Sequence, residues 1–483
     1  MRFSSAILLS GLLAGPLPAL AADHVWIIGG GPLPGSSQAQ IEYNVNWVIQ
    51  VLNGSAGTRQ LHLYYTDGQA HGKDVVLWQP PKESKDTLQP LARVFGEQVA
   101  NGESYYSHRI PHVIAGTEAE TLKTQLEKEF SELKSGDRAL LIYNGHGLQD
   151  SKDPAGNTLR LWSNTRLSVR EMDQIMSRIS PDIPVRFVFT QCFSGGFARL
   201  MRPQAGDTVA LGEANRCGFF AEAQDRKAEG CSASINIGDY RDYSTYFFAA
   251  LAGRTRTGDD IVVNPDRNGD GTVSLYEAHL FALSQAHNAD LPRSTSEVFL
   301  ERWQPWYLRW TDTGAEPDNV YGEIARELAK KNGLPEAGPA LIREMKARRR
   351  TLTRKMDELK NEQTSLAQEI KTLQKEIKQD LGVRWPEALS PYTLNFVRFL
   401  KKDLDAAQDF ILSHAHYPDL VAKQDRHFAI DEEMLHVDRD ITQLDKILRL
   451  RKLARIQSQF ERHATTQERE WYQRLMSCEG QRL

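Results

Sequence analysis

The chain has 483 residues, of which 40% are hydrophobic, and its 59 lysines and arginines nearly balance its 63 aspartates and glutamates. The net charge of −4 therefore gives no overall argument for nucleic-acid or membrane binding. The length suits two or three domains. Beyond the N-terminal segment, no stretch approaches the roughly 18 consecutive apolar residues that a membrane-spanning helix needs.

The N-terminal segment, residues 1–21, has the composition of a secretory signal peptide. Arg2 supplies the positive charge, an apolar run follows, and residues 19–21 form an Ala-Leu-Ala cleavage site. Pro16 and Pro18 interrupt the apolar run, which argues against a membrane anchor. We expect cleavage after this segment and export, which in a bacterial cell leads to the periplasm or to secretion.

Short apolar runs alternate with amphipathic helical patterns over the first 300 or so residues, at the spacing of βαβ units. Residues 25–28 predict the first strand, and Gly29-Gly30-Gly31 follows it without the spacing of a dinucleotide-binding loop. Capping boxes that begin at Thr117 and Ser168 predict two helices. Residues 66–112 read as an insertion. The pattern predicts an α/β fold with a mostly parallel sheet and helices on both faces.

Two stretches combine an apolar strand with a glycine-rich end and one reactive side chain. Residues 138–147 end in Gly-His-Gly around His146, and residues 185–197 contain Gln-Cys-Phe-Ser-Gly-Gly around Cys192. Sites in open parallel sheets lie beyond the carboxyl ends of the strands. A histidine and a cysteine on neighbouring strand ends make a nucleophile-plus-base arrangement. Ser194 is a competing nucleophile, but it lacks the Gly-x-Ser-x-Gly context of a serine elbow.

These motifs resemble those of the legumain/caspase superfamily of cysteine peptidases over roughly residues 24–290. The resemblance implies a caspase-like sheet, a catalytic dyad of His146 and Cys192, and an oxyanion hole formed by the N–H groups of Gly147 and Cys192. It also implies that the substrate is a peptide or protein, and that segments after the cysteine strand shape the specificity pocket.

Three acidic residues follow the cysteine strand and are candidates for that pocket. A negatively charged pocket would favour arginine or lysine before the scissile bond. A solvated surface position is the alternative for each of these carboxylates. The candidate substrate-binding residues are Glu222, Asp225 and Asp239.

The four cysteines are compatible with one disulfide and a free nucleophile. Export permits disulfides. Cys217 and Cys231 close a short loop and form the best predicted pair, which leaves Cys192 free. Cys478 is then either a free thiol or bonded to another chain.

Residues 266–277 fit the twelve-residue calcium loop of an EF-hand. Oxygen-bearing residues stand at positions 1, 3, 5, 7, 9 and 12, and Gly271 stands at position 6, where the chain must turn sharply. We expect a structural or regulatory calcium site here; the alternative is a polar turn that caps the following helix. The predicted ligands are Asp266, Asn268, Asp270, Thr272 through its carbonyl, Ser274 and Glu277.

The composition changes near residue 312, which divides a catalytic region, residues 22–312, from a helical region, residues 313–483. A heptad pattern in the second region predicts an antiparallel coiled-coil hairpin. Two roles stay open for it: autoinhibition, or an arm for a protein partner or self-association. Two alternatives to a peptidase also stay open: a non-catalytic, calcium-responsive scaffold and a thiol transpeptidase. The seam residues are Met345, Leu352, Leu359, Leu366 and Leu373.

Overall fold

The computed structural model describes residues 22–55, 57–70, 72–79, 88–96, 102–230, 236–309, 317–390 and 393–483. The predicted signal peptide and Cys231 lie outside these residues. The strands are β1 (Asp23–Gly30), β2 (Arg59–Tyr65), β3 (Val75–Trp78), β4 (Glu103–Tyr106), β5 (Arg138–Leu148), β6 (Thr158–Leu161), β7 (Thr165–Ser168), β8 (Val185–Phe189), β9 (Arg216–Phe220) and β10 (Arg293–Ser294). The helices are α1 (Ala39–Gly54), α2 (Gln89–Phe95), α3 (Ala119–Ser131), α4 (Val169–Met176), α5 (Tyr243–Ala252), α6 (Leu275–Gln285), α7 (Thr295–Trp303), α8 (Val320–Lys331), α9 (Gly338–Arg384), α10 (Leu394–Lys402), α11 (Leu404–Ser413), α12 (Tyr417–His463) and α13 (Thr466–Glu479).

The central sheet of the described chain runs in the order β10-β9-β8-β5-β1-β2. Strands β2, β1, β5, β8 and β9 are parallel, and β10 is antiparallel to β9. A hairpin of β6 and β7 extends from the end of β5. The predicted α/β class with a mostly parallel sheet is therefore confirmed.

Helices cover both faces of the sheet, because the strand side chains alternate between two apolar clusters. Val25 and Ile27 of β1 pack with α1, α5 and α6 on one face. Trp26 and Ile28 pack with α3 and α4 on the other. All four side chains are almost completely buried. The edge formed by the carboxyl ends of the strands is the place left for a site.

One of the two predicted capping boxes forms. Ser168 caps α4, and Glu171 returns a hydrogen bond to the Ser168 backbone. The box predicted at Thr117 is wrong, because α3 begins two residues later and its N-cap residue makes no side-chain cap. The Thr117 hydroxyl donates instead to the Thr66 carbonyl, at 3.4 Å, just beyond the end of β2.

The predicted insertion, residues 66–112, contains the antiparallel pair β3–β4 and helix α2. It packs against the segment that leads into α1. The Val76 N–H donates to the Ser37 carbonyl at 2.9 Å. The Glu42 carboxylate in α1 accepts hydrogen bonds from the Tyr106 hydroxyl and from the Arg109 N–H. The insertion therefore supports the first turn of α1.

Helices α9 and α12 lie antiparallel, as the heptad pattern predicts. Lys423 of α12 pairs with Glu369 of α9 at 2.6 Å, and Arg426 of α12 pairs with Glu362 of α9 at 2.7 Å. Residue numbers therefore rise along α12 while they fall along α9. Shorter helices α10 and α11 connect the two long ones, and α13 follows α12. No helix of the described residues combines the length and apolarity that crossing a membrane requires.

The helical region completes the core of the first region, and the composition change near residue 312 marks no break in the packing. Phe299 and Trp303 of α7 share one apolar cluster with Ile447, Leu450 and Phe460 of α12. All five side chains are nearly or fully buried. The two regions therefore cannot be separated without exposing a core.

The predicted Cys217–Cys231 disulfide is wrong, because Cys217 is bonded to Cys478. Their Cα atoms lie 6.0 Å apart, within the usual range for a disulfide. Both cysteines are buried where α13 packs on β9, so the fold brings together residues that are far apart in sequence. Cys192 is the free cysteine of the described chain, as the catalytic hypothesis requires.

We predict that Cys478→Ser lowers the free energy of unfolding by about 2–4 kcal/mol, because the bond closes a very long loop of the unfolded chain. Denaturant unfolding without reductant measures this loss. Cys217→Ser should cause the same loss, and Cys231→Ser should leave the free energy of unfolding unchanged. A large loss confined to Cys231→Ser would contradict the pairing.

Candidate active site at the carboxyl ends of the strands

The register between β5 and β8 brings the two predicted motifs together. Tyr143 of β5 pairs with Phe189, the last residue of β8. Strand β5 continues three residues to His146, and the chain after β8 reaches Cys192 three residues later. Both residues therefore lie beyond the carboxyl end of the sheet.

Gly147 touches the backbone of Cys192. A Cβ atom at Gly147 would lie 2.1 Å from the Cys192 carbonyl oxygen, so only glycine fits there. The close approach explains in physical terms why glycine follows the histidine. It also brings together the two residues whose N–H groups are the predicted oxyanion donors.

The imidazole of His146 is oriented by the segment that precedes α1. Its Nε2 atom lies 2.8 Å from the Ser36 carbonyl oxygen and 2.9 Å from Gln38 Oε1. A carbonyl oxygen only accepts hydrogen bonds, so Nε2 carries the proton in the neutral ring and Nδ1 carries the lone pair. Burial lowers the pKa of His146, and the nearby charge of Arg160 adds to this effect.

Cys192 is partly exposed, and its thiol contacts the chain that follows β9. The Ala228 N–H donates to Sγ at 3.3 Å, and Sγ lies 3.8 Å from the Ala228 carbonyl oxygen. The Phe193 N–H donates to the Arg226 carbonyl at 2.8 Å. Burial raises the pKa of the Cys192 thiol. This conformation therefore favours a neutral thiol and a neutral imidazole. We call residues 226–230 the covering segment.

Helix α12 holds the covering segment through charged contacts. Arg439 forms a two-pronged contact with the Glu229 carboxylate. The Arg226 guanidinium donates to the Thr442 hydroxyl at 3.0 Å and lies 3.7 Å from the Asp445 carboxylate. Both partners of the Arg439–Glu229 pair are largely buried. The helical region therefore contacts the segment beside Cys192 at Arg226 and Glu229.

Glu222, one of the predicted substrate-binding residues, is a core residue in this structure. It is fully buried, and its carboxylate accepts hydrogen bonds from the Ala223 N–H at 2.8 Å and the Leu291 N–H at 2.9 Å. Burial raises its pKa to about 7. The carboxylate also lies 3.2 Å from Arg226 and so supports the covering segment. Its assignment to a substrate pocket is corrected.

Asp225 and Asp239 lie on the surface, which leaves their carboxylates available. Asp225 directly precedes the covering segment. Asp239 ends a short turn before α5, where Asn236 donates to its carboxylate. Their role in substrate binding stays a prediction.

The predicted calcium loop has a defined conformation that leads into α6. Gly271 has a φ of 82°, which matches the sharp turn expected at position 6. The Asp266 carboxylate accepts hydrogen bonds from the Gly269 N–H at 2.8 Å and the Gly271 N–H at 2.9 Å. Glu277 closes the loop through a capping box with Ser274. Both a calcium loop and a helix-capping turn are consistent with these contacts.

A further group of ligand-type side chains lies in the insertion. One ligand atom each from Asp67, Asp74 and His108 lies within 4.8 Å of the others. Asp74 already accepts a hydrogen bond from the His108 ring at 2.7 Å. Burial opposes ionisation of Asp74, but this hydrogen bond and one from Thr66 outweigh it and lower its pKa. These donors could hold a metal ion, and nothing in them identifies calcium.

Several site residues escaped the sequence analysis. Ser36 acts through a backbone carbonyl, which has no sequence signature. Gln38 and Arg439 are distant in sequence from the residues that they contact. The one available signal was the position of residues 36–38 after the first strand, since loops at that edge line the site.

We predict that Arg439→Glu raises the alkylation rate of Cys192 about tenfold or more, because a desolvated ion pair that holds the covering segment becomes a repulsion. Peptide-resolved mass spectrometry with a small alkylating reagent measures the rate.

Combining Arg439→Glu with Glu229→Arg should restore the slow rate, and Arg455→Glu, an exposed change on the same helix, should leave it unchanged. Equal rates in all variants would show that the contact does not limit access to the thiol.

No protein-family model and no curated protein matches the chain. Among solved structures, the chain is similar to protein GSU0716 from Geobacter sulfurreducens. The alignment has a TM-score of 0.32 and 10% identity, and covers 57% of this chain and 92% of that chain. At this TM-score the likeness carries no argument about fold or function.

Proposed function

We propose that the protein is an exported cysteine endopeptidase of the legumain/caspase type, with Cys192 as nucleophile and His146 as general acid–base. The observation that carries the proposal is the convergence of His146, Gly147 and Cys192 at one strand edge. The orientation of the imidazole supports it, because the Ser36 carbonyl selects the ring form whose Nδ1 can accept a proton.

In the proposed reaction, Sγ of Cys192 attacks the carbonyl carbon of a peptide bond while Nδ1 of His146 accepts the thiol proton. The N–H groups of Gly147 and Cys192 donate to the developing oxyanion. The tetrahedral intermediate collapses to a thioester, and the imidazolium protonates the leaving amine. Water then hydrolyses the thioester, with the same histidine as base.

The covered conformation is the resting form in this proposal. Burial raises the pKa of the Cys192 thiol and lowers the pKa of His146, and both shifts oppose the thiolate–imidazolium pair. Displacing the covering segment exposes the thiol further and lets a peptide approach Sγ. The helical region then acts on the site by holding this segment.

Substrate preference is proposed from two surface carboxylates that follow the cysteine strand in sequence. Asp225 and Asp239 would favour a peptide with arginine or lysine before the scissile bond. Exposed apolar side chains at the far end of the α9–α12 hairpin would suit a protein partner or self-association. They include Val383, Leu394 and Val397.

We propose a calcium site in residues 266–277. Asp266, Asn268, Asp270, Ser274 and Glu277 offer side-chain oxygens, and Thr272 offers its carbonyl. Asp270 lies 3.5 Å from Arg482, near the C-terminus. Calcium would compete with this arginine for the Asp270 carboxylate and with the helix cap for Glu277, so its role would be structural or regulatory.

Labelling with an electrophilic peptide tests the proposed activity. We predict that a probe with arginine at the reactive position labels Cys192 faster than a matched alanine probe. Labelling should disappear in Cys192→Ala, fall by at least about a hundredfold in His146→Ala as expected for loss of a general base, and persist in Ser194→Ala.

The test is run with Arg439→Glu as well as with the unchanged chain, so that a covered thiol is not mistaken for an inert one. Absence of labelling in both would sink the peptidase proposal and favour a scaffold. Labelling followed by transfer to an added amine, rather than to water, would indicate a transpeptidase.

Calorimetry on the purified chain tests the calcium site. We predict binding with a dissociation constant of order 10⁻⁴–10⁻³ M, as in extracellular calcium modules. Asp270→Asn should weaken it strongly, whereas Asp259→Asn, an exposed change before the loop, should not. Binding that survives Asp270→Asn but not Asp74→Asn would move the site to the insertion.

A further inference from the structure

Gln38 is the N-cap residue of α1, yet its side chain makes no hydrogen bond to the helix. The side chain points instead at the proposed catalytic histidine, with Oε1 2.9 Å from His146 Nε2. Glutamine is not among the residues preferred at helix N-caps. Its presence here is explained by the imidazole that it contacts.

We propose that Gln38 is a positioning residue that fixes the orientation of His146 and stabilises its protonated form. This inference rests on the proposed function, because it assigns a role within the same site. The Ser36 carbonyl and Gln38 Oε1 face one N–H, so the two oxygens hold the ring plane from two directions. Their negative ends also favour the imidazolium that forms when the thiol gives up its proton.

The two acceptors are held by the insertion. Val76 of β3 donates its N–H to the Ser37 carbonyl, between the two residues that contact the histidine. Gln38 and Val76 also form a β-bridge. The β3–β4 pair is therefore the support for the imidazole, although it lies outside the central sheet.

Two other titratable or charged groups influence the protonation of His146 in the proposed site. Arg160 of β6 is its direct partner in the β5–β6 register, and its positive charge disfavours the imidazolium. Gly147, the residue after His146, lies against the Cys192 carbonyl, and ionisation of the Cys192 thiol would favour the imidazolium. Gln38 and Ser36 oppose the effect of Arg160 without adding a charge that would repel a thiolate.

The test is the pKa of His146, measured by NMR on histidine-labelled protein and assigned with His146→Ala. Gln38→Leu should lower this pKa, because one acceptor is lost. Gln38→Glu should raise it by about one unit or more, because a carboxylate then faces the ring. Gln50→Glu, the same change at an exposed position of α1, should leave it unchanged.

Turnover gives the second readout. The acid limb of the pH–rate profile, where protonation of His146 removes the base, should move to lower pH in Gln38→Leu and to higher pH in Gln38→Glu. A purely structural role would change activity without moving the limb in opposite directions.

The outcomes separate this inference from the proposed function. Opposite pKa shifts in a chain that cleaves nothing, with or without Arg439→Glu, would support the role of Gln38 and reject the peptidase. Peptidase activity with an unchanged His146 pKa in both folded variants would reject the role of Gln38. Circular dichroism establishes that the variants are folded.

Discussion

The parallel pairing of β5 between β1 and β8 is the constraint on which the site depends. It aligns two strands whose ends carry His146 and Cys192, and a slip of one residue would turn each side chain to the opposite face. The register is held because both faces of these strands are buried against helices, so a slip would place core side chains against the wrong cluster. The geometry of the dyad is thus a consequence of core packing.

The same reasoning extends to the helical region. Helix α12 contributes apolar side chains to the core, and its Arg449 forms a buried pair with Glu297 at 2.8 Å. A buried pair tolerates little displacement, because the loss of one partner leaves an uncompensated charge. Since the same helix carries Arg439, its contact with the covering segment is fixed by the packing that stabilises the protein. Helix α12 therefore contributes both to the stability of the protein and to the contact that limits access to the thiol.

Much of the fold could be predicted, because local patterns carry it. Short apolar runs and 3.6-residue patterns predicted the parallel strands of the central sheet and the helices between them, and the motifs placed His146 and Cys192 at strand ends. What failed depended on tertiary neighbours. Cys217 pairs with the remote Cys478, Glu222 turns into the core, and the Thr117 hydroxyl bonds to the end of β2. None of these choices is encoded in the flanking residues.

The covering segment also sets an energetic requirement for activity. Its Arg439–Glu229 contact with α12 is largely buried, and removing one partner of such a pair costs about 3–5 kcal/mol because the other charge is left unpaired. On the proposed function, an activator must bind the open form in preference to the covered form, since equal affinity for both would shift nothing. A substrate that itself displaces the segment loses part of its binding free energy to opening, so the contact between Arg439 and Glu229 would set apparent affinity as well as rate.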